Sequence, residues 1–149
     1  MEEIGAVLER GKKRAGDAGF PYAGALTPNE AYDVLQKMEH AVLIDVRTTA
    51  ELELVGKIPD VSHIEWASYP GMVANPDFAK QLEAQVDKAS LVVFMCRTGG
   101  RSHHAATLAT SLGFAEAYNM LEGFEGEANG ERQRTLINGW RHAGLPWSN

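Results

Sequence analysis

The stretch LVVFMCRTGGRSHHAATLATSLGF, residues 91–114, reads as strand, turn and helix in that order. LVVFM (91–95) is an unbroken apolar run of strand length, the pattern of a strand buried on both faces. Ala105, Leu108, Ala109 and Leu112 recur at helical spacing, and Gly113 is a natural stop. RTGGRS turns the chain between them. A second strand of the same kind lies upstream, AVLIDV (41–46), followed by a helical segment, TTAELELV, that Gly56 ends.

Working outward, TPNE (27–30) spells a helix start. Thr27 caps, Pro28 takes the first helical position and Glu30 completes a capping box. Ala31, Val34, Leu35 and Met38 form the apolar face behind it. Asn75-Pro76 opens another helix, with Phe78, Leu82 and Val86 along one side. Short strands are expected at 62–65 and 115–120. Ile4, Val7 and Leu8 predict a short amphipathic helix near the start, and the glycines and proline of 11–25 predict a connecting stretch. Strands alternating with helices imply an α/β domain whose central sheet is mainly parallel. The division expected is an N-terminal helix and linker, 1–25, and one domain, 26–149.

The chain has 149 residues, a net charge of −6, and a single cysteine, Cys96. One cysteine excludes an internal disulfide framework. The negative charge argues against nucleic acid as a partner. The start, MEEIGAVLERGKKRAG, does not read as a signal peptide. No run approaches the roughly 18 apolar residues a membrane helix needs. A soluble cytoplasmic protein with a reduced thiol and no membrane partner is therefore expected.

Ligands in such sheets sit at the carboxyl ends of strands, and Cys96 follows LVVFM directly. A glycine-rich turn entering a helix aims several backbone N–H groups at one point. Those donors, with Arg97 and Arg101, favour a thiolate, the nucleophilic form of cysteine. The alternative is a small apolar residue at the end of a buried strand. On these physical features alone, thiol transfer, phosphoryl chemistry and redox sensing all remain open.

Residues 96–101, Cys-Arg-Thr-Gly-Gly-Arg, followed by Ser102 and an alanine-rich helix, resemble the active-site loop of single-domain rhodaneses. That family's loop begins with Cys and ends with Arg five residues later. LIDVRTTAEL (43–52) resembles the family's strand and its Asp-Val-Arg…Glu signature. Gly56…Ile58-Pro59…His63-Ile64, YNMLEGFEG (118–126) and GW…AGLPW (139–147) follow in the family's order. The likeness runs over about 26–148 and leaves the first 25 residues outside. Asp60-Val61 departs from the Gly-Ala often found after Ile-Pro, and the polar segment 125–138 has no assigned role.

The resemblance implies a rhodanese-like fold, a mainly parallel sheet with helices on both faces, and a sulfurtransferase. Cys96 would take a sulfane sulfur from thiosulfate or a similar small anionic donor, carry it as a persulfide, and pass it to a thiol or cyanide acceptor, a protein thiol included. Arg97, Thr98, Gly99, Gly100, Arg101 and Ser102 would form the anion cradle. No cofactor and no metal are implied. Some phosphatases and arsenate reductases share this fold but use a loop one residue longer, suited to a tetrahedral group. The alternatives are a protein-to-protein persulfide carrier and a non-catalytic interaction module; an interaction module has no need of Cys96 and both arginines.

Asp45, Arg47 and Glu51 are expected to be structural near the site, with Arg47 paired to Glu51 at i, i+4 and Asp45 hydrogen-bonded beside them. His103 and His104 point about 100° apart on a helix, so at most one faces the loop. Trp140 and Trp147 are expected to pack on the body. Trp66 and Tyr69 are candidates for the pocket wall.

Overall fold

The computed structural model describes residues 3–149. In chain order the elements are α1 (Ile4–Ala18), β1 (Gly24–Leu26), α2 (Pro28–Lys37), β2 (Ala41–Asp45), α3 (Thr49–Val55), β3 (Ser62–His63), β4 (Ala67–Ser68), β5 (Val73–Ala74), α4 (Phe78–Gln85), β6 (Leu91–Met95), α5 (Gly100–Ser111) and β7 (Ala117–Met120). Five strands form a parallel sheet in the order β1-β7-β6-β2-β3, and β4 and β5 pair as a small antiparallel hairpin.

The middle strand, β6, explains the layers. Every residue of Leu91–Met95 is buried, yet the period-2 alternation survives. Val92 and Phe94 face a core with Ile44, Phe78, Leu82, Ala105, Ala106, Ala109 and Phe114, under α4 and α5. Leu91, Val93 and Met95 face a second core with Val7, Leu26, Ala31, Val34, Leu43 and Trp140, under α1 and α2. Small alanines on the inner side of α5 bring its backbone close to the sheet. This is the α/β architecture expected, with helices on both faces.

The helix starts are equally local. Thr27 accepts the N–H of Glu30 and the Thr27 N–H donates to the Glu30 carboxylate, the reciprocal box the sequence spells. The same arrangement at Thr48 and Glu51 opens α3. Each box is worth about 1 kcal/mol.

Residues 11–18 depart from expectation. The helix does not yield to a connecting stretch there; α1 continues to Ala18 and stops at Gly19, which is left-handed at φ 73°. Gly11 is an approach point, because a Cβ there would run into the Leu26 side chain and the Ala25 carbonyl. Without one, α1 lies directly on β1, the strand that 24–26 adds to the sheet edge. Arg10 and Arg14 of α1 then reach Glu30 of α2. Among the described residues no helix is long and apolar enough to cross a membrane.

Candidate functional site

The carboxyl ends of β2, β6 and β7 converge. Asp45 closes β2 opposite Met95, and Asn119 lies in register with Phe94. Cys96 follows Met95 on the face under α5 and is 1% exposed. Its Sγ accepts the N–H of Gly99 at 3.0 Å and the Ser102 hydroxyl at 3.4 Å. Gly99 caps α5 at φ 110°, a conformation glycine adopts readily. The sulfur therefore sits under the N-terminus of a twelve-residue helix, where backbone donors and the helix dipole favour negative charge.

A turn from the chain's last third supports this loop. Phe124 N–H donates to the Cys96 carbonyl at 2.9 Å and Glu125 N–H to the Arg97 carbonyl at 3.1 Å. Arg97 Nε lies 3.0 Å from the Glu125 carboxylate, and the Arg97 side chain is about half exposed. Gly123, at φ 71°, makes the approach possible: a Cβ there would occupy the space of the Arg97 carbonyl and Thr98 nitrogen. Gly123→Ala combines positive-φ strain with that collision. A loss of at least about 2 kcal/mol is expected in urea unfolding; wild-type stability would refute the packing argument.

The ion pairs differ from expectation. Arg47 does not pair with Glu51. It lies on Asp45, with Nη2 to Oδ2 at 2.8 Å and Nε to Oδ1 at 3.1 Å, and Nη2 also reaches the Gly56 carbonyl at 2.9 Å. Neither side chain is exposed. Residues two apart at a strand end share a side, and this overrides helical i, i+4 spacing because Arg47 precedes the helix. Glu51 instead takes Arg101 at 2.7 and 2.8 Å, a two-pronged bond joining α3 to the first turn of α5.

Burial alone would raise the Glu51 carboxyl. Bonds from Arg101 and from the Thr48 N–H outweigh it and hold the group down at about 2. Glu30 is held at about 2 in the same way, burial being outweighed by Arg14, the Thr27 N–H and Arg10. Arg101 is raised by its bond to Glu51 and lies within electrostatic reach of Cys96. A depressed carboxylate stabilises the fold fully above its ordinary value of 4.5 and loses that contribution as pH falls towards 2. After allowance for solvent each is worth about 2 kcal/mol. Urea midpoints should therefore drop between about pH 5 and 3, less so in Glu51→Gln; a midpoint flat over that range would contradict both placements.

The remaining residues fall as follows. Trp140 is buried and donates to the Pro146 carbonyl at 2.8 Å. Trp147 is 43% exposed and meets the Phe124 ring edge-on. Trp66 packs on Phe78 and His104, while Tyr69 is exposed. His103 bonds the Tyr22 hydroxyl at 2.8 Å. Among the neighbours of the loop, Tyr22 lies outside every motif read in the sequence, and Asn119, Gly123 and Glu125 lie inside YNMLEGFEG, a motif that gave them no individual role. Asn119 carried a signal, as an amide inside the buried run AYNM.

Residues 27–128 match the family model for the rhodanese-like domain. The chain belongs to the rhodanese-like family. This rhodanese-like domain is similar to the crystal structure of Rv0390 from M. tuberculosis, with a TM-score of 0.78 and 40% identity, over 85% of this chain and 98% of that one. It is 35% identical over 120 residues to an uncharacterised protein of Rickettsia conorii, covering 79% of this chain and 91% of that protein. It is 29% identical over 121 residues to the thiosulfate sulfurtransferase GlpE of Actinobacillus succinogenes, covering 81% and 86%.

Proposed function

We propose that this rhodanese-like domain is a sulfurtransferase working through Cys96. The observation that carries the reading is the Gly99 N–H 3.0 Å from Sγ, at the start of α5. The thiolate attacks the outer sulfur of thiosulfate. A new S–S bond forms to Sγ, the S–S bond within thiosulfate breaks, and sulfite leaves with the bonding pair. The terminal sulfur of the persulfide then carries the negative charge. The N–H groups of residues 97–101, the Ser102 hydroxyl and the half-exposed Arg97 stabilise it there. A thiolate or cyanide attacks that terminal sulfur, and the electron pair of the broken bond returns to Sγ. Both halves move electrons in pairs, so no redox cofactor is called for. Arg101, with its guanidinium on Glu51, braces the loop from α3.

The relative named a thiosulfate sulfurtransferase supports thiosulfate as donor. Leu136 and Ile137, 58% and 46% exposed within 125–138, favour a second reading in which the acceptor is a protein thiol docking beside Glu125. We assign the reaction to the cytoplasm, where a lone thiol stays reduced. The test is the intact mass of the reduced protein after thiosulfate, followed by cyanide. A gain of one sulfur and repeated thiocyanate release are expected. Loading without cyanide turnover would move the assignment to the carrier, and no loading would overturn thiosulfate as donor.

A further inference from the structure

We infer that Asn119 and Tyr22 are positioning residues for the Cys96 loop, holding the Gly99–Gly100 peptide so that its N–H serves the sulfur site. The inference rests on the sulfurtransferase reading of that loop.

Side-chain sterics do not fix this geometry. Gly99 and Gly100 carry no Cβ, and Gly99 sits at φ 110°, so local sterics restrict their peptide planes little. Orientation has to come from hydrogen bonds to the peptide, one from the first turn of α5 and one from β7. Asn119, on β7 and 2% exposed, donates from Nδ2 to the Gly99 carbonyl at 3.3 Å. The His103 N–H donates to the same carbonyl at 3.2 Å. A trans peptide sets its C=O and N–H in opposite directions. A Gly99 carbonyl held by Asn119 and His103 therefore turns the Gly100 N–H away from them. One residue earlier, the Gly99 N–H already lies on Sγ.

Tyr22 fixes which way round Asn119 sits. Its hydroxyl accepts the second Nδ2 hydrogen at 3.3 Å. Its own proton is then available to His103 Nδ1, 2.8 Å away. Both hydrogens of the amide nitrogen thus have acceptors. A flipped amide would set its oxygen against the Gly99 carbonyl, two acceptors facing each other. The phenol is held by stacking on Phe20 and edge-on contact with His103, with centroids 5.4 and 5.3 Å apart. Tyr22 lies before residues 27–128, so a side chain outside the family match completes the support of the loop.

The experiment compares Asn119→Ala, Tyr22→Phe and the double variant with wild type. Three readouts are taken: the pH profile of Cys96 alkylation by iodoacetamide, the rate of sulfur loading from thiosulfate, and the thermal midpoint. A donor removed outright costs about 100-fold or more, so a misdirected one is expected to cost about tenfold in loading for Asn119→Ala and about threefold for Tyr22→Phe. The alkylation midpoint should move to higher pH in both. The double variant should be no worse than Asn119→Ala, because Tyr22 acts through Asn119. Folded variants with wild-type profile and loading rate would overturn the inference. Tyr22→Phe keeps the ring and its stacking, and decides the matter alone where Asn119→Ala does not fold. Should wild type take no sulfur from thiosulfate, the donor assignment fails, while the alkylation profiles still decide the positioning role.

Discussion

Cys96→Ser is expected to gain no sulfur from thiosulfate while keeping the wild-type fold. Serine differs from cysteine by one atom, and its hydroxyl can still accept the Gly99 N–H that now lies on Sγ. The apolar neighbours, Phe94, Ala105 and Ala106 among them, lose little packing. Stability should change by about 1 kcal/mol or less. Chemistry changes far more. An alcohol is not ionised near neutral pH, and the groups bonded to the Cys96 sulfur among the described residues, the Gly99 N–H and the Ser102 hydroxyl, are not bases that could activate it. Removal of a nucleophile costs on the order of ten-thousand-fold or more, so mass spectrometry should find the variant unloaded. A loaded Cys96→Ser protein would remove Cys96 as the sulfur carrier, since the chain has no other thiol. Loss of loading together with loss of the thermal transition would mean instead that the residue matters to folding.

What could be read from the sequence is what is local. Thr27-Pro28-Asn29-Glu30 contains its own capping box, and the structure realises each bond of it. Strand, glycine turn and helix over 91–114 lie within a single unit, so the position of Cys96 under α5 follows from the order of residues. The misreadings have one common cause, competition from distant partners. Gly11 looked like a breaker until β1 gave it a close approach to permit. Glu51 looked like the partner of Arg47, four residues away, until the fold brought Arg101 from fifty residues on. The Asn119–Tyr22 bond joins positions 97 apart, and no spacing rule reaches that far. The β4–β5 hairpin, with two-residue strands, was too short to leave a pattern.

Asp45→Ala should be the most destabilising single change at the strand ends. Asp45 and Arg47 are both fully enclosed, and Asp45 takes three hydrogen bonds from the Arg47 guanidinium and one from the Arg47 backbone N–H. The guanidinium also lies 4.2 Å from the centroid of the Phe124 ring. Removing the carboxylate leaves a guanidinium that cannot shed its proton, with only the Gly56 carbonyl and an aromatic face for company. An uncompensated buried charge of this kind costs about 3–5 kcal/mol, or roughly 10 °C in thermal midpoint for a chain of this size. The loss should reach the loop as well, because Phe124 N–H holds the Cys96 carbonyl. Replacing both partners, Asp45→Leu with Arg47→Leu, removes the charge problem and should recover part of the stability. A double variant as unstable as Asp45→Ala would show that the hydrogen-bonded geometry matters in its own right. A single variant within about 1 kcal/mol of wild type would mean that water reaches Arg47, and the enclosure of this pair would be wrong.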